Sequence, residues 1–181
     1  MAMARTDFVQ RAELTRDALA FARERHDGRV AHPVEVGCLL HEAGYADEVV
    51  AAGVLHDVLE DTDAQLSELE AQFGADVAEL VAAVSDDPAI EDHAERKAAL
   101  RRQVARAGEG AAAVFAADKV SKARELRVRA SRGRFERRDE SRMDHYEASL
   151  DMLSDLIPGR PLVDQLRMEL DALHALPPGG V

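Results

Sequence analysis

The sequence is poor in aromatic residues and lacks some residue types altogether. Phe and Tyr make up 4% of the 181 residues, and there is no Trp. Because Ala, Leu, Val and Glu dominate instead, the composition favours helices over strands. The single cysteine, Cys38, excludes a disulfide within the chain. Its apolar neighbours, among them Leu39 and Leu40, predict that it is a small buried residue.

The sequence also lacks a long apolar segment. No run of residues approaches the length of a membrane-spanning helix, so we expect no membrane partner. The first residues contain no apolar core typical of a signal peptide, and we therefore expect a cytoplasmic protein. The formal net charge of −12 argues against binding a nucleic-acid polymer, which requires a basic surface.

The charge is unevenly distributed along the chain. Residues 119–142 carry ten Lys or Arg side chains against four acidic ones, although the chain as a whole is acidic. A local basic patch on an acidic protein suits a small anionic ligand better than a polymer. The alternative is that these charges form a solvated helix face, as charge runs often do.

Gly, Pro and helix-capping residues divide the chain into amphipathic segments, and no alternating strand pattern is found. The sequence therefore predicts an all-α helical bundle with one domain over residues 1–176 and a disordered tail over 177–181. The apolar faces of the last two helices leave open whether they complete the core or form a homo-oligomer interface. The predicted helices are approximately 6–25, 33–44, 47–59, 66–84 with an interruption at Gly74, 91–107, 111–130, 139–157 and 161–176.

Polar residues interrupt the apolar helix predicted over residues 47–59. His56 and Asp57 follow an apolar run, and such side chains are costly to bury without partners. Glu60 lies one helical turn beyond His56, and Asp61 one turn beyond Asp57, so four titratable groups meet at one helix end. Alternatively, the acidic residues only end one helix and begin the next.

Two further residues favour a metal site. His32 stands before Pro33 at a junction between a loop and a helix, and Asp118 ends the apolar run 111–117. A buried carboxylate needs a metal ion or a charged partner. Together with His56 and Asp57, these residues form a mixed imidazole and carboxylate set that suits Mn, Fe or Zn better than Ca.

The order of these motifs resembles a known enzyme family. His32-Pro33, then His56-Asp57, then the segment 58–62 (Val-Leu-Glu-Asp-Thr), Phe73-Gly74 and Ala117-Asp118-Lys119 resemble the HD-domain metal phosphohydrolases. Within them, the sequence is most similar to the RelA/SpoT-type alarmone hydrolases, especially the small stand-alone hydrolases of the metazoan SpoT homologue type. The similarity runs from about residue 19 to residue 150.

The resemblance implies a fold, a metal and a reaction. It implies an all-α HD-domain bundle that binds one Mn²⁺ per chain. It also implies removal of the 3′-pyrophosphate of (p)ppGpp to give GDP or GTP and pyrophosphate, with Glu60 and Asp61 activating or positioning the attacking water. Arg142 and Tyr146 match residues that contact the nucleotide in the stand-alone hydrolases. The metal ligands that it implies are His32, His56, Asp57 and Asp118.

The sequence departs from the family in two substrate-binding segments. The stretch before His32 is short, and Arg25 and Arg29 stand in for the basic residues that relatives carry there. The Asn that usually follows Asp118 by four residues is Lys122, which donates hydrogen bonds but cannot accept them. These departures favour one alternative, a phosphohydrolase of NADPH or a nucleoside monophosphate. A catalytically silent nucleotide-binding regulatory module is a separate alternative, and the filled metal-ligand and carboxylate positions argue against it.

The remaining histidines outside the first loop are expected to be solvated. His41, His93, His145 and His174 occur in polar or helix-surface contexts. His145 precedes Tyr146, so a contact with the ligand is the alternative for that residue.

Overall fold

The computed structural model describes residues 13–176, and the predicted beginning of the first helix and the predicted tail 177–181 lie outside them. The predicted all-α fold is confirmed, and the described residues contain no strand. The helices are α1 (Glu13–Arg25), α2 (Ala31–Glu42), α3 (Asp47–Leu55), α4 (Val58–Asp61), α5 (Leu66–Phe73), α6 (Ala75–Val84), α7 (His93–Ala107), α8 (Glu109–Ser131), α9 (Arg137–Leu156) and α10 (Pro161–His174).

Helix α8 forms the centre of the bundle. Residues 111–121 of α8 are all buried, and the helix packs against α2, α3, α6, α7, α9 and α10. A helix that is buried on every side needs side chains that let its neighbours approach, and five of residues 111–117 are Ala. Asp118 and Lys119 are therefore carried into the interior on a helix surrounded by other helices.

Helices α2 and α3 approach each other closely through two glycines. A Cβ atom at Gly37 would lie 2.7 Å from Cγ2 of Val54, and one at Gly53 would collide with the side chain of Leu40. This close packing brings His32, in the first turn of α2, near His56, which follows the last residue of α3.

The predicted continuous helix over 47–59 is wrong at His56 and Asp57. These two residues form a turn between α3 and α4, with φ and ψ of −94° and −8° at Asp57. The Nδ1 atom of His56 lies 2.8 Å from the carbonyl oxygen of Gly53 and donates its hydrogen bond there. The ring of His56 thus hydrogen-bonds to the same Gly53 carbonyl that the backbone N–H of Asp57 would use in a continuous helix.

Among residues 13–176, no helix combines the length and the apolar character needed to cross a membrane.

Candidate metal centre and adjoining cavities

Three helices bring two imidazoles and a carboxylate to one point. The Nε2 atom of His32 lies 3.2 Å from Nε2 of His56 and 3.1 Å from Oδ1 of Asp118. The Nε2 atom of His56 lies 3.4 Å from the same Oδ1. His56 and Asp118 are buried, whereas His32 is partly exposed at the edge of the group.

The hydrogen bonds of the two histidines leave both Nε2 atoms available as ligands. Because the Gly53 carbonyl only accepts hydrogen bonds, the Nδ1 atom of His56 carries the proton and Nε2 of the neutral ring has a lone pair. The Nδ1 atom of His32 lies 2.9 Å from Oγ of Ser121, which can accept a hydrogen bond from Nδ1–H in the same way. Histidine ligands of metal ions commonly donate their other ring nitrogen to a neighbour in this manner.

The spacing of these atoms fits a transition-metal ion. Ligand atoms about 2.1 Å from an ion lie about 3.0 to 3.4 Å from one another in octahedral or tetrahedral geometry. Two nitrogen lone pairs and a carboxylate oxygen at this spacing repel one another unless a proton or a metal ion lies between them. The donor atoms of His32, His56 and Asp118 therefore fit a divalent metal, and no thiolate takes part.

Asp57 lies beside this group. Its Oδ1 atom is 2.8 Å from Nε2 of His56, and its Oδ2 atom is 3.6 Å from Nε2 of His32. Burial opposes a charge on His56, but the carboxylates of Asp57 and Asp118 outweigh it and raise the pKa of His56 to about 9. The site is thus negative enough to favour a cation at the imidazole. We refer to His32, His56, Asp57 and Asp118 as the metal group.

The second carboxylate oxygen of Asp118 has a separate partner. The Nζ atom of Lys119 lies 2.5 Å from Oδ2 and 4.3 Å from the centre of the Phe115 ring. Burial alone would raise the pKa of Asp118, but the charges of Lys119 and Lys122 hold this pKa well below its usual range. Burial in turn lowers the pKa of Lys119. Oδ1 thus faces the metal group while Oδ2 pairs with a buried lysine.

Ser121 and Glu35 extend the hydrogen bonds behind His32. The Oγ atom of Ser121 donates to Oε2 of Glu35 at 2.9 Å, and Arg124 donates to Oε1 of Glu35 at 2.7 Å. These hydrogen bonds hold the ring of His32 in place from the side opposite the metal group. Sequence reasoning did not find Ser121, although its position three residues after Asp118 on α8 is the signal that could have done so.

A cavity of about 480 Å³ opens beside the metal group. We call it the metal-side cavity; its walls are formed by His26, Arg29, His32, Pro33, Asp57, Asp61, Lys122 and Glu125. Arg29 therefore lies where a ligand could reach it, with its guanidinium exposed and 3.9 Å from Asp27. Arg25 lies elsewhere, because its guanidinium pairs with Asp63 and Glu68 in another surface depression.

Glu60 and Asp61 diverge from each other. Asp61 faces the metal-side cavity, whereas Oε1 of Glu60 accepts a hydrogen bond of 2.7 Å from the backbone of Asp86. Partial desolvation raises the pKa of Glu60, against the opposing effect of this hydrogen bond. Both side chains lie on the short helix α4, which follows Asp57 directly.

A second cavity, of about 330 Å³, adjoins the first at Lys122 and Glu125. Five of its side chains are cationic, so we call it the basic cavity. Its walls are Lys97, Lys119, Lys122, Arg129, Arg142, His93, His145, Tyr146, Glu125 and Leu126. The basic stretch 119–142 supplies most of these charges, and it therefore forms a cavity wall rather than a wholly solvated face.

Three of the substrate-binding residues predicted from the sequence meet at the basic cavity. Lys122 lies 2.9 Å from Oδ1 of Asp118 and links the cavity to the metal group. Arg142 donates a hydrogen bond of 3.1 Å to the fully buried carboxylate of Asp139, which also pairs with Arg129. Tyr146 is buried, and burial together with the charge of Asp118 raises the pKa of Tyr146 to about 12.

The expectation that His145 is solvated is wrong. Its side chain is 8% exposed and lies at the wall of the basic cavity, between α7 and α8. The Nδ1 atom of His145 lies 2.6 Å from the guanidinium of Arg101 on α7. The sequence does not reveal this contact, because Arg101 and His145 are 44 positions apart and lie on different helices.

Known proteins provide a comparison for the chain as a whole. A protein-family model described as "HD domain" matches residues 12–141. Human guanosine-3′,5′-bis(diphosphate) 3′-pyrophosphohydrolase MESH1 is 43% identical over 99 residues, covering 54% of this chain and 55% of that protein. The chain thus spans about half the length of this relative. The Danio rerio protein of the same name is 38% identical over 125 residues, covering 61% of this chain and 67% of the relative.

Two solved structures are similar to most of the bundle. One is a metazoan ortholog of SpoT, described as hydrolysing ppGpp, with 29% identity and a TM-score of 0.73. The match covers 90% of this chain and 94% of that structure. The other, lmo0812 from Listeria monocytogenes EGD-e, has 29% identity and a TM-score of 0.69, covering 79% of this chain and 98% of its own.

Proposed function

This chain belongs to the HD-domain family, and from that premise we propose that it is a metal-dependent phosphohydrolase of a small phosphorylated nucleotide. The proposed reaction is hydrolysis of the 3′-pyrophosphate of (p)ppGpp, which gives GDP or GTP and pyrophosphate. The names of the relatives support this substrate, since they are described as 3′-pyrophosphohydrolases of guanosine-3′,5′-bis(diphosphate).

The observation that carries the proposal is the arrangement of the two cavities. The metal-side cavity is lined by two members of the metal group, His32 and Asp57, and the basic cavity next to it offers five cationic side chains. A nucleotide with phosphates at two positions, such as ppGpp, can present one phosphate to each cavity. A nucleoside monophosphate has a single phosphate and would leave one cavity without an anion. NADPH carries phosphates at two positions and remains the competing substrate.

We propose that one Mn²⁺ per chain binds to His32, His56, Asp57 and Asp118. A bound divalent ion lowers the pKa of water and offsets the charge that develops on the phosphoryl oxygens. The spacing of the Nε2 atoms and Oδ1 supports such an ion, and the imidazole and carboxylate donors suit manganese.

Glu60 and Asp61 are the proposed groups for proton transfer. Asp61 faces the metal-side cavity, so its carboxylate can accept a hydrogen bond from the attacking water and orient it. Glu60 is the proposed general base, and its raised pKa brings it closer to neutral pH, where a base works best. For this role, Glu60 must exchange its hydrogen bond from Asp86 for one from the water or a neighbour.

The remaining proposed roles concern substrate binding. Lys122 lies at the junction of the two cavities and can bind a phosphate group placed there. The planar guanidinium of Arg142 can bind a second phosphate group. Tyr146 offers a ring for stacking and a hydroxyl group for hydrogen bonding. Arg29 can reach a ligand in the metal-side cavity. The position of Arg25 lends no support to the role predicted for it from the sequence.

A substrate panel tests the proposal. The Mn²⁺-loaded protein is incubated with ppGpp, NADPH and GMP in turn, and the products are separated by chromatography with mass detection. We expect GDP and pyrophosphate from ppGpp and slower turnover of the other compounds. Phosphate release from NADPH at a higher kcat/KM than ppGpp hydrolysis would contradict the proposed substrate.

A matched pair of variants tests the alternative of a silent binding module. Glu60→Gln should abolish most turnover while the protein still binds one metal ion, whereas Glu91→Gln serves as the control because Glu91 is exposed and lines neither cavity. If the wild-type protein binds metal and ppGpp but forms no product, the silent module is the better interpretation.

A further inference from the structure

His145 is a buried polar residue to which the proposed function assigns no role. It lies on α9 next to Tyr146, with its ring against the edge of Phe115 and at the wall of the basic cavity. The side chain is 8% exposed. A histidine in this position needs hydrogen-bond partners for both ring nitrogens.

Arg101 determines which ring nitrogen carries the proton. A guanidinium only donates hydrogen bonds, so Nδ1 of His145, at 2.6 Å from Arg101, must accept. In the neutral ring, the proton is then on Nε2. Arg101 thereby turns His145 into a hydrogen-bond donor that points away from α7.

This donor has no acceptor within residues 13–176. Nε2 of His145 is buried and forms no hydrogen bond in that part of the chain. A buried N–H group without an acceptor is costly, and native proteins seldom keep one unless a water or a ligand completes it. The nearby hydroxyl of Ser149 donates to the backbone carbonyl of His145 and forms no hydrogen bond with Nε2.

The surroundings of His145 favour an anionic acceptor and keep the ring neutral. Burial and the positive charges of Lys119, Arg101 and Lys97 lower the pKa of His145 to about 2, against a small opposing effect of Asp118. Lys97 and Lys119 belong to the basic cavity, as do Lys122 and Arg142. These cations have acidic partners within the protein, whereas Nε2 of His145 has no acceptor among the described residues.

We propose that the Nε2–H group of His145 donates a hydrogen bond to a non-bridging phosphate oxygen of a ligand in the basic cavity, and that Arg101 is the positioning residue that fixes this tautomer. The inference rests on the proposed function for the identity of the ligand as a phosphorylated nucleotide. A phosphate oxygen fits because it only accepts hydrogen bonds, and because the cationic wall already compensates its charge. His145 then distinguishes a ligand that carries a phosphate in this cavity from one that does not.

Calorimetric titration with GDP tests this contact without turnover. We use metal-loaded protein, with guanosine as the phosphate-free probe. His145→Phe should weaken GDP binding by about 10- to 100-fold, the range for a hydrogen bond to a charged group, and leave guanosine binding unchanged. His145→Gln should retain most of the GDP affinity, because its amide can donate near the position of Nε2.

The role of Arg101 is tested by NMR of the ring nitrogens. In protein loaded with diamagnetic Zn²⁺, long-range ¹H–¹⁵N spectra should show His145 protonated on Nε2 and unprotonated on Nδ1. Arg101→Met should give a mixture of tautomers and weaken GDP binding. Arg102→Met removes a neighbouring charge on the same helix that lines neither cavity, and it should change neither observation.

Two results would overturn the inference. The first is that His145→Phe, folded as judged by circular dichroism, binds GDP as tightly as the wild type does. The second is an equal loss of GDP and guanosine affinity, which would place the acceptor on the nucleoside. A protein that binds GDP through His145 but does not hydrolyse ppGpp would refute the proposed function and leave this inference intact.

Discussion

Asp118 should stabilise the fold and bind the metal through different oxygen atoms. Oδ2 pairs with the buried ammonium of Lys119 at 2.5 Å, whereas Oδ1 faces the metal group. Lys119 is 4% exposed, so Asp118→Asn leaves a buried positive charge without its nearest counterion. Removing one partner of a buried ion pair costs about 3 to 5 kcal/mol. For a chain of this length, that corresponds to a decrease of roughly 10 °C in Tm.

A second substitution separates the two effects. In Asp118→Asn/Lys119→Met, the buried charge is gone and an apolar side chain of similar length remains against Phe115. We expect this double variant to recover most of the lost stability, since an apolar replacement of a buried ion pair is often neutral or stabilising. Metal affinity should stay low in both variants, because neither has a carboxylate oxygen at the position of Oδ1 of Asp118, between His32 and His56.

The assay measures the two properties independently. Thermal unfolding of metal-free protein by circular dichroism gives the stability without any contribution from bound metal. Calorimetric titration with Mn²⁺ gives the affinity. The reasoning is refuted if the double variant is no more stable than Asp118→Asn, or if Asp118→Asn binds Mn²⁺ as tightly as the wild type.

Three further predictions follow from the site. Glu60→Gln should lower kcat by about 10² to 10⁴ while calorimetry still shows one bound metal ion, and unchanged turnover would argue against a general base at this position. Ser121→Ala removes the partner of His32 and should weaken Mn²⁺ binding by about 10- to 100-fold in the same titration, whereas the exposed control Ser131→Ala should not. His145 has a lowered pKa in the folded state, so only the unfolded chain takes up its proton below about pH 6.5, and stability falls as the pH decreases. The free energy of unfolding, measured with urea at pH 7 and at pH 5.5, should therefore decrease by about 1 kcal/mol less in His145→Phe than in the wild type. Equal decreases in the two proteins would contradict the lowered pKa.

The convergence of the metal group could be predicted from the sequence because three of its members interrupt or end an apolar segment. His56, Asp57 and Asp118 stand out in such runs, and His32 stands before Pro33 at a helix start. The order of the helices could also be predicted, because Gly and Pro act on the local backbone and their positions divide the chain. Local patterns thus located both the helices and the residues that converge at one point.

The sequence was less informative where a side chain changes the local structure or where distant helices meet. The break at His56 depends on a hydrogen bond from its ring to Gly53, which a periodicity of apolar residues does not reveal. Arg25 is a plausible phosphate ligand by its charge alone, but Asp63 and Glu68 are acidic partners from another helix and the loop before it. The burial of His145 results from packing of α7 and α8 against α9, so its own polar neighbours predicted the opposite.

The most direct test of the account is a metal titration with two readouts. Metal-free protein receives increasing amounts of Mn²⁺, and the bound metal per chain and the initial rate of pyrophosphate release from ppGpp are measured in the same samples. We predict that the rate rises in proportion to bound metal and saturates at one ion per chain, with no such rise in His56→Ala. A rate that is the same without metal, or that is unaffected by the loss of His56, would contradict the account.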